Sequence, residues 1–248
     1  MEYKTVVAIP GRCTMVEKLI VPTVEKRISA LFEFNRRKEA EALSKGKTRK
    51  PKLTITFARE FGCEAYPAVE RLQALMENKT GEAWLAMDRA LLQEVARNHE
   101  LSEDVLHRLG ERTQFLDDII STFAPSWKGD KDYFELLCRH VVALASAGNV
   151  ILMGRGSAII TQSMKNCRHF FLYASEDFKV RSMCRRLRIE PKEAKKLIQQ
   201  KQGERDQFLR TALGHTPGDM SVYNLVFNND RNSADKIAHT VAEYVMES

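Results

Sequence analysis

The feature that most constrains this chain is one short succession: Leu53-Thr-Ile-Thr-Phe57, then Ala58-Arg-Glu-Phe-Gly-Cys-Glu-Ala-Tyr-Pro-Ala68, then an apolar-periodic run from Val69 to Met76. Alternation with β-branched residues in the first part suits a buried strand, and Val69, Leu72, Leu75 and Met76 recur at the spacing of one helix face. A strand feeding a helix through a short loop aims backbone N–H groups and a helix N-terminus at one point, so the unit suits an anion, above all a phosphate. The phosphate-loop pattern G-x-x-x-x-G-K-[ST] is not met here, since only Gly62 stands in place, and a plain structural turn is the alternative reading. Gly46-Lys47-Thr48 has the right ending. It nevertheless carries Glu41 at the first glycine position and runs into Arg49-Lys50-Pro51, so it reads as a basic linker.

The same strand-then-helix rhythm returns along the chain. Asn78-Lys-Thr-Gly81 is a helix stop and Trp84 to Met87 a second short strand, with Asp88 placed to cap a helix over 89–98. Further helices are expected from Ser102 and over 115–123, before the break at 125–129. Asp132 to Ala147 reads as an amphipathic helix stopped by Gly148, and Asn149 to Met153 as a strand that ends in Gly154-Arg155-Gly156. Ser157 to Gln162 reads as a helix, Phe170 to Tyr173 as a strand, and Ser175 as the cap of a helix over Glu176 to Leu187. Pro191 opens another helix to about Arg210, Tyr223 to Phe227 is a strand, and Ser233 to Met246 closes the chain as a helix. Repeated βα units of this kind predict an α/β domain, a three-layer parallel sheet of about five strands covered by helices.

Residues 1–52 differ in character, with 13 Lys and Arg against 6 Asp and Glu, so the chain's whole net charge of +6 lies there. Lys4 to Ile9 reads as a short strand, and the stripe Val16, Ile20, Val24, Ile28, Leu31 and Phe32 predicts an amphipathic helix that packs on the domain or on a second subunit. The expected organisation is a basic N-terminal helical arm and linker over 1–52, and a domain over 53–248. Such an arm could touch nucleic acid or acidic lipid, although a solvated helix face is the commoner cause of such charge. A homodimer through the arm is a further expectation. No apolar run reaches the ~18 residues of a membrane span, and Val6 to Ile9 is too short for a signal peptide, so a cytoplasmic protein is expected. The five cysteines are scattered without C-x-x-C pairs and read as reduced thiols. Cys63, in the loop, is either a small buried residue or a thiol activated by the helix N-terminus.

Two basic features stand at positions where α/β proteins bind ligands. Gly154-Arg155-Gly156 puts an arginine at the carboxyl edge of the sheet, with a plain turn as the alternative. From Lys179 to Arg210 there are 11 Lys and Arg against 4 Asp and Glu, with Arg181, Arg185 and Arg186 spaced so that at least two share a helix face. Either a solvated helix or a lid over phosphates explains them.

Taken in order, Ile55-Thr-Phe-Ala-Arg-Glu-Phe-Gly62, Gly154-Arg155-Gly156, Phe171-Leu-Tyr173 with Arg181 and Arg185-Arg186, the stretch Ala194 to Arg205, and Tyr223-Asn-Leu-Val-Phe-Asn228 carry a resemblance. Residues 53 to about 246 resemble the cytidylate-kinase-like branch of the P-loop nucleoside monophosphate kinases, with a degenerate P-loop. The resemblance implies ATP-dependent phosphoryl transfer to a pyrimidine nucleotide such as CMP, with ATP and Mg2+ as cofactors. It implies a donor loop made of Arg59, Gly62, Cys63, Glu64 and Ala65, and acceptor binding by Asp88, Gly154, Arg155 and Gly156. Arg181, Arg185 and Arg205 would stabilise the transferring phosphoryl group. Asp88 is open to a second reading as a simple N-cap. Family members carry a Gly-Ser-Gly-Gly-like run where this chain has Gly62-Cys-Glu-Ala-Tyr-Pro67, and an Asp at the positions of Gln202 and Asn224. No residue is assigned as a magnesium ligand. The alternative function is a non-catalytic nucleotide- or anion-binding pseudokinase acting through the N-terminal arm.

Overall fold

The computed structural model describes residues 52–88 and 131–247, without the side chains of 131–133. The expected N-terminal strand, helix and linker, and the helices expected between 89 and 123, lie outside the described residues. Five strands form one parallel sheet: β1 (Thr54–Arg59), β2 (Leu85–Met87), β3 (Val150–Met153), β4 (Cys167–Tyr173) and β5 (Leu225–Asn228), in the order β2-β3-β1-β4-β5. Thr54 pairs with Val150 on one side and Cys167 on the other, so β1 is the central strand. Among the described residues six helices accompany it: α1 (Ala65–Thr80), α2 (Lys131–Ala147), α3 (Ser157–Ile160), α4 (Glu176–Leu187), α5 (Pro191–Leu213) and α6 (Ala234–Glu247).

The alternation in β1 divides its side chains between the two faces of the sheet. Ile55 and Phe57 join Ile151, Met153, Phe170 and Leu172 under α1 and α6, where Leu72, Met76, Val241 and Val245 are fully buried. The opposite face packs Val150, Leu152 and Cys167 against α2, α3 and the end of α5. Thr54 and Thr56 also point to that side, and burial obliges each hydroxyl to find a partner. Thr54 donates to the Ala145 carbonyl at 2.9 Å, and Thr56 meets Nδ1 of His169 at 2.8 Å. Helices on both faces are what an all-parallel sheet requires, because each crossover must return over the sheet.

Local signals set the helix ends. Gly81 closes α1 in the left-handed conformation, its N–H bonded to the Glu77 carbonyl at 2.9 Å. Ser175 caps α4 by accepting from the Phe178 N–H at 3.2 Å, and Pro191 starts α5 with φ already helical. The strand expected at Tyr223 begins instead at Leu225. The Asn224 amide oxygen accepts from the His169 N–H at 2.7 Å, and its own N–H returns to the His169 carbonyl, so the residue docks the chain beside β4 just ahead of the strand. Among the described residues no helix is long and apolar enough to cross a membrane.

α4 and the first half of α5 form a hairpin with its own small core of Val180, Met183, Ala194 and Ile198, against which Phe61 packs. The hairpin thereby stands over the loop between β1 and α1, at the carboxyl edge of the sheet.

Candidate functional site at the carboxyl edge of the sheet

Two regions meet at this edge: a loop, residues 60–64, and a cavity beside it. The cavity, of about 360 Å³, opens between the ends of β1, β3 and β4, the middle of α5, and the segment 215–223. Chain order explains its place. After β3 the chain crosses over the central β1 to form β4, and the strands part at their carboxyl ends where connections diverge.

Gly154-Arg155-Gly156 makes one wall, with φ of 82°, 56° and 68° at the three residues. A side chain at Gly154 would place its Cβ 2.2 Å from Nη1 of Arg59, so the missing side chain is what lets the Arg59 guanidinium lie against the turn. Arg155 holds a left-handed conformation that costs a non-glycine residue about 1–2 kcal/mol. Its guanidinium stands 5.8 Å from the centre of the Phe208 ring. Arg205, from α5, donates through Nη1 to the Arg59 carbonyl at 2.9 Å and stacks 5.1 Å above Phe61. Three arginines from three elements thus line one cavity. Phe61, Phe171, Phe208 and Tyr223 supply its apolar walls. Phe171 and Tyr223 pack with ring centres 5.0 Å apart, and burial together with nearby Asp219 pushes the Tyr223 hydroxyl up to about 12, keeping it neutral.

The loop is built differently. The Glu60 N–H donates to the Leu172 carbonyl at 2.9 Å, that of Phe61 to Oε1 of Gln202 at 2.8 Å, and that of Glu64 to Oδ1 of Asn229 at 2.8 Å. The Glu60 carboxylate binds Nζ of Lys179 at 2.8 Å, and Glu64 pairs with Arg185. Gly62 has φ of +98°, and a Cβ there would stand 2.7 Å from Cβ of Lys179. Pro67 is the third residue of α1, where its missing N–H falls among amides that lack helical partners. Burial, with Glu60 adding to it, pushes the Cys63 thiol up to about 12; it is the small buried residue of the two readings, not an activated thiol.

Of the residues singled out in the sequence, the structure gathers Arg59, Gly154, Arg155, Gly156 and Arg205 at the cavity. Gly62, Cys63, Glu64 and Ala65 lie in the loop and at the start of α1. Arg59 belongs by chain position to the loop, yet its side chain turns to Gly154. Arg181 and Arg185, on α4, face elsewhere. Arg185 meets Glu64, and Arg181 adds to the Ser175 hydrogen bonds that hold the Asp230 carboxyl below its usual range. Asp88 follows the edge strand β2 and is not among the residues that line the cavity. Sequence reading passed over Lys179, Gln202 as a loop partner, Phe208, the segment 215–223 and Asn229. Lys201, Arg205 and Phe208 recur at helical spacing, a legible sign of one working face on α5.

A polyphosphate needs loop N–H groups aimed at open space and unshared cations. Here the amides of Glu60, Phe61 and Glu64 already donate within the protein, one side of Gly62 is covered by the Lys179 stem, and Lys179 and Arg185 are met by carboxylates. The loop in this arrangement does not fit an ATP–magnesium group.

No curated protein matches the chain. A crystal structure of an uncharacterized protein from Eubacterium ventriosum aligns with a TM-score of 0.60 at 16% identity, covering 79% of this chain and 99% of that one, which shows the fold. Shikimate kinase from Bacteroides thetaiotaomicron aligns at 16% identity with a TM-score of 0.40, over 78% of this chain and 98% of its own. Dephospho-CoA kinase from Campylobacter jejuni aligns at 8% identity with a TM-score of 0.33, over 80% and 98%. With its five-stranded parallel sheet and a family model matching residues 54–231, the chain belongs to the cytidylate kinase-like family.

Proposed function

We propose that this protein binds a pyrimidine nucleoside monophosphate such as CMP in the arginine-lined cavity, within a single nucleotide-binding domain spanning 53–248. The observation that carries this reading is the convergence of Arg59, Arg155 and Arg205 on one cavity with aromatic walls. Guanidinium forks match phosphate oxygens in pairs, and a mostly apolar pocket with a few convergent polar groups is what a planar base and its sugar require. Arg155 takes the phosphate from its place in the Gly154–Gly156 turn, and Arg59 and Arg205 close around it.

Kinase-like families use nucleotides, and phosphoryl transfer from ATP is the fuller version of the function. The loop geometry favours the second reading, a nucleotide-binding protein without transfer chemistry in this state, because the Phe61 and Glu64 amides, Lys179 and Arg185 are bonded within the chain. Arg181 and Arg185 are likewise engaged outside the cavity.

Isothermal titration separates these readings. CMP binds the wild type, and Arg155→Ala weakens that binding about tenfold or more with the thermal transition retained. Failure of folded wild-type protein to bind CMP, or an unchanged affinity in Arg155→Ala, would overturn the assignment of the cavity. Turnover of a CMP–ATP–magnesium mixture would reinstate the kinase.

A further inference from the structure

We propose that the loop between β1 and α1 is self-ligated: its own Glu60 and Glu64 carboxylates stand where phosphate oxygens would, and a triphosphate enters only by displacing Glu64. The proposal rests on the reading of this edge as a nucleotide site, and concerns how access to the loop is controlled.

Three independent features point the same way. First, two of the loop amides are capped by side chains from far along the chain, Gln202 on the Phe61 N–H and Asn229 on the Glu64 N–H. Second, two of the cations facing the loop already meet carboxylates. Glu60 holds Lys179, Glu64 pairs with Arg185, and the charge of Glu64 also opposes the effect of burial on the neighbouring Arg186 guanidinium, which pulls its pKa below the ordinary value. A carboxylate and a phosphate oxygen make the same charge-assisted bond to a guanidinium, so one can substitute for the other. Third, the Gly62 α-carbon is packed against the Lys179 stem, so α4 closes that side of the glycine.

The cavity and the latch share a helix. Gln202 caps Phe61, and Arg205, one turn further along α5, holds the Arg59 carbonyl; both line the cavity. A phosphate that draws Arg205 toward it therefore pulls on the element that caps the loop. Binding is ordered, monophosphate first and triphosphate second.

The test is titration of the full chain with magnesium–ATP, alone and in the presence of saturating CMP, for the wild type, Glu64→Gln and Asn229→Ala. Glu64→Gln keeps the shape of the side chain while removing its charge, and Asn229→Ala frees one amide; neither position lines the cavity. Each variant is expected to bind magnesium–ATP about tenfold or more tightly than the wild type, with CMP affinity unchanged. CMP is expected to tighten ATP binding in the wild type more than in Glu64→Gln. ATP affinity unchanged in both variants would overturn the proposal, as would a wild type that already binds ATP as tightly as Glu64→Gln. CMP titration of the same samples reads the cavity assignment separately. A wild type that ignores CMP while Glu64→Gln gains ATP affinity would sink the cavity and keep the latch.

Discussion

His169 makes the stability of this fold sensitive to mild acid. The ring is 5% exposed in the centre of β4, with Nδ1 held by the Thr56 hydroxyl at 2.8 Å. Burial, helped by the neighbouring Arg168 charge, lowers its pKa from 6.5 to about 4. The folded state therefore keeps the ring neutral where the unfolded chain protonates it. Between pH 6.5 and 4 the unfolded state binds the extra proton, so the stability that the neutral ring provides is complete above pH 6.5 and is lost as pH falls through that window. At about 1.4 kcal/mol per pH unit the loss at pH 4 is about 3 kcal/mol, a large share of the ~5–15 kcal/mol stability of an ordinary domain. His169→Asn keeps a polar atom near Thr56 and cannot titrate. Urea unfolding at pH 7, 5.5 and 4 measures the effect as the difference between the two proteins. Buried His140, whose pKa burial also lowers, is present in both and cancels. The wild type is expected to lose about 3 kcal/mol more than His169→Asn across the range. Parallel losses in the two proteins would refute the argument.

Two further outcomes are expected. Leu72→Ala, at a fully buried position between α1 and the sheet, should cost about 2–5 kcal/mol in urea unfolding. Among the described cysteines, Cys184 is half-buried, whereas burial pushes Cys63 and Cys138 up to about 12 and Cys167 to about 11. Alkylation of native protein at pH 8, mapped by mass spectrometry, should therefore label Cys184 well before those three; rapid labelling of Cys63 would show a loop more open than this one.

What the sequence determined by itself was the set of elements and their kind. Helix α4 begins and ends where Ser175 and the apolar spacing place it, α1 stops at Gly81, and the βα rhythm requires a parallel sheet with helices on both faces. These are local matters, decided by periodicity, caps and turn chemistry within a few residues. The likeness in motif order was legible for the same reason, and it held. The cluster at the cavity was only half legible: Arg155 and Arg205 stand out as arginines near strand ends or on a basic helix, but Arg59 reads by position as part of the loop. Only the tertiary structure decided which guanidiniums converge. Arg59 turns to Gly154 because that residue has no side chain, while Arg185 is drawn to Glu64, 121 positions away in the chain. Gln202 and Asn229 read as departures from a pattern or as nothing at all, yet they cap loop amides across 141 and 165 positions. A buried or half-buried N–H must find an acceptor, and which acceptor it finds depends on packing between distant segments, which no local period encodes.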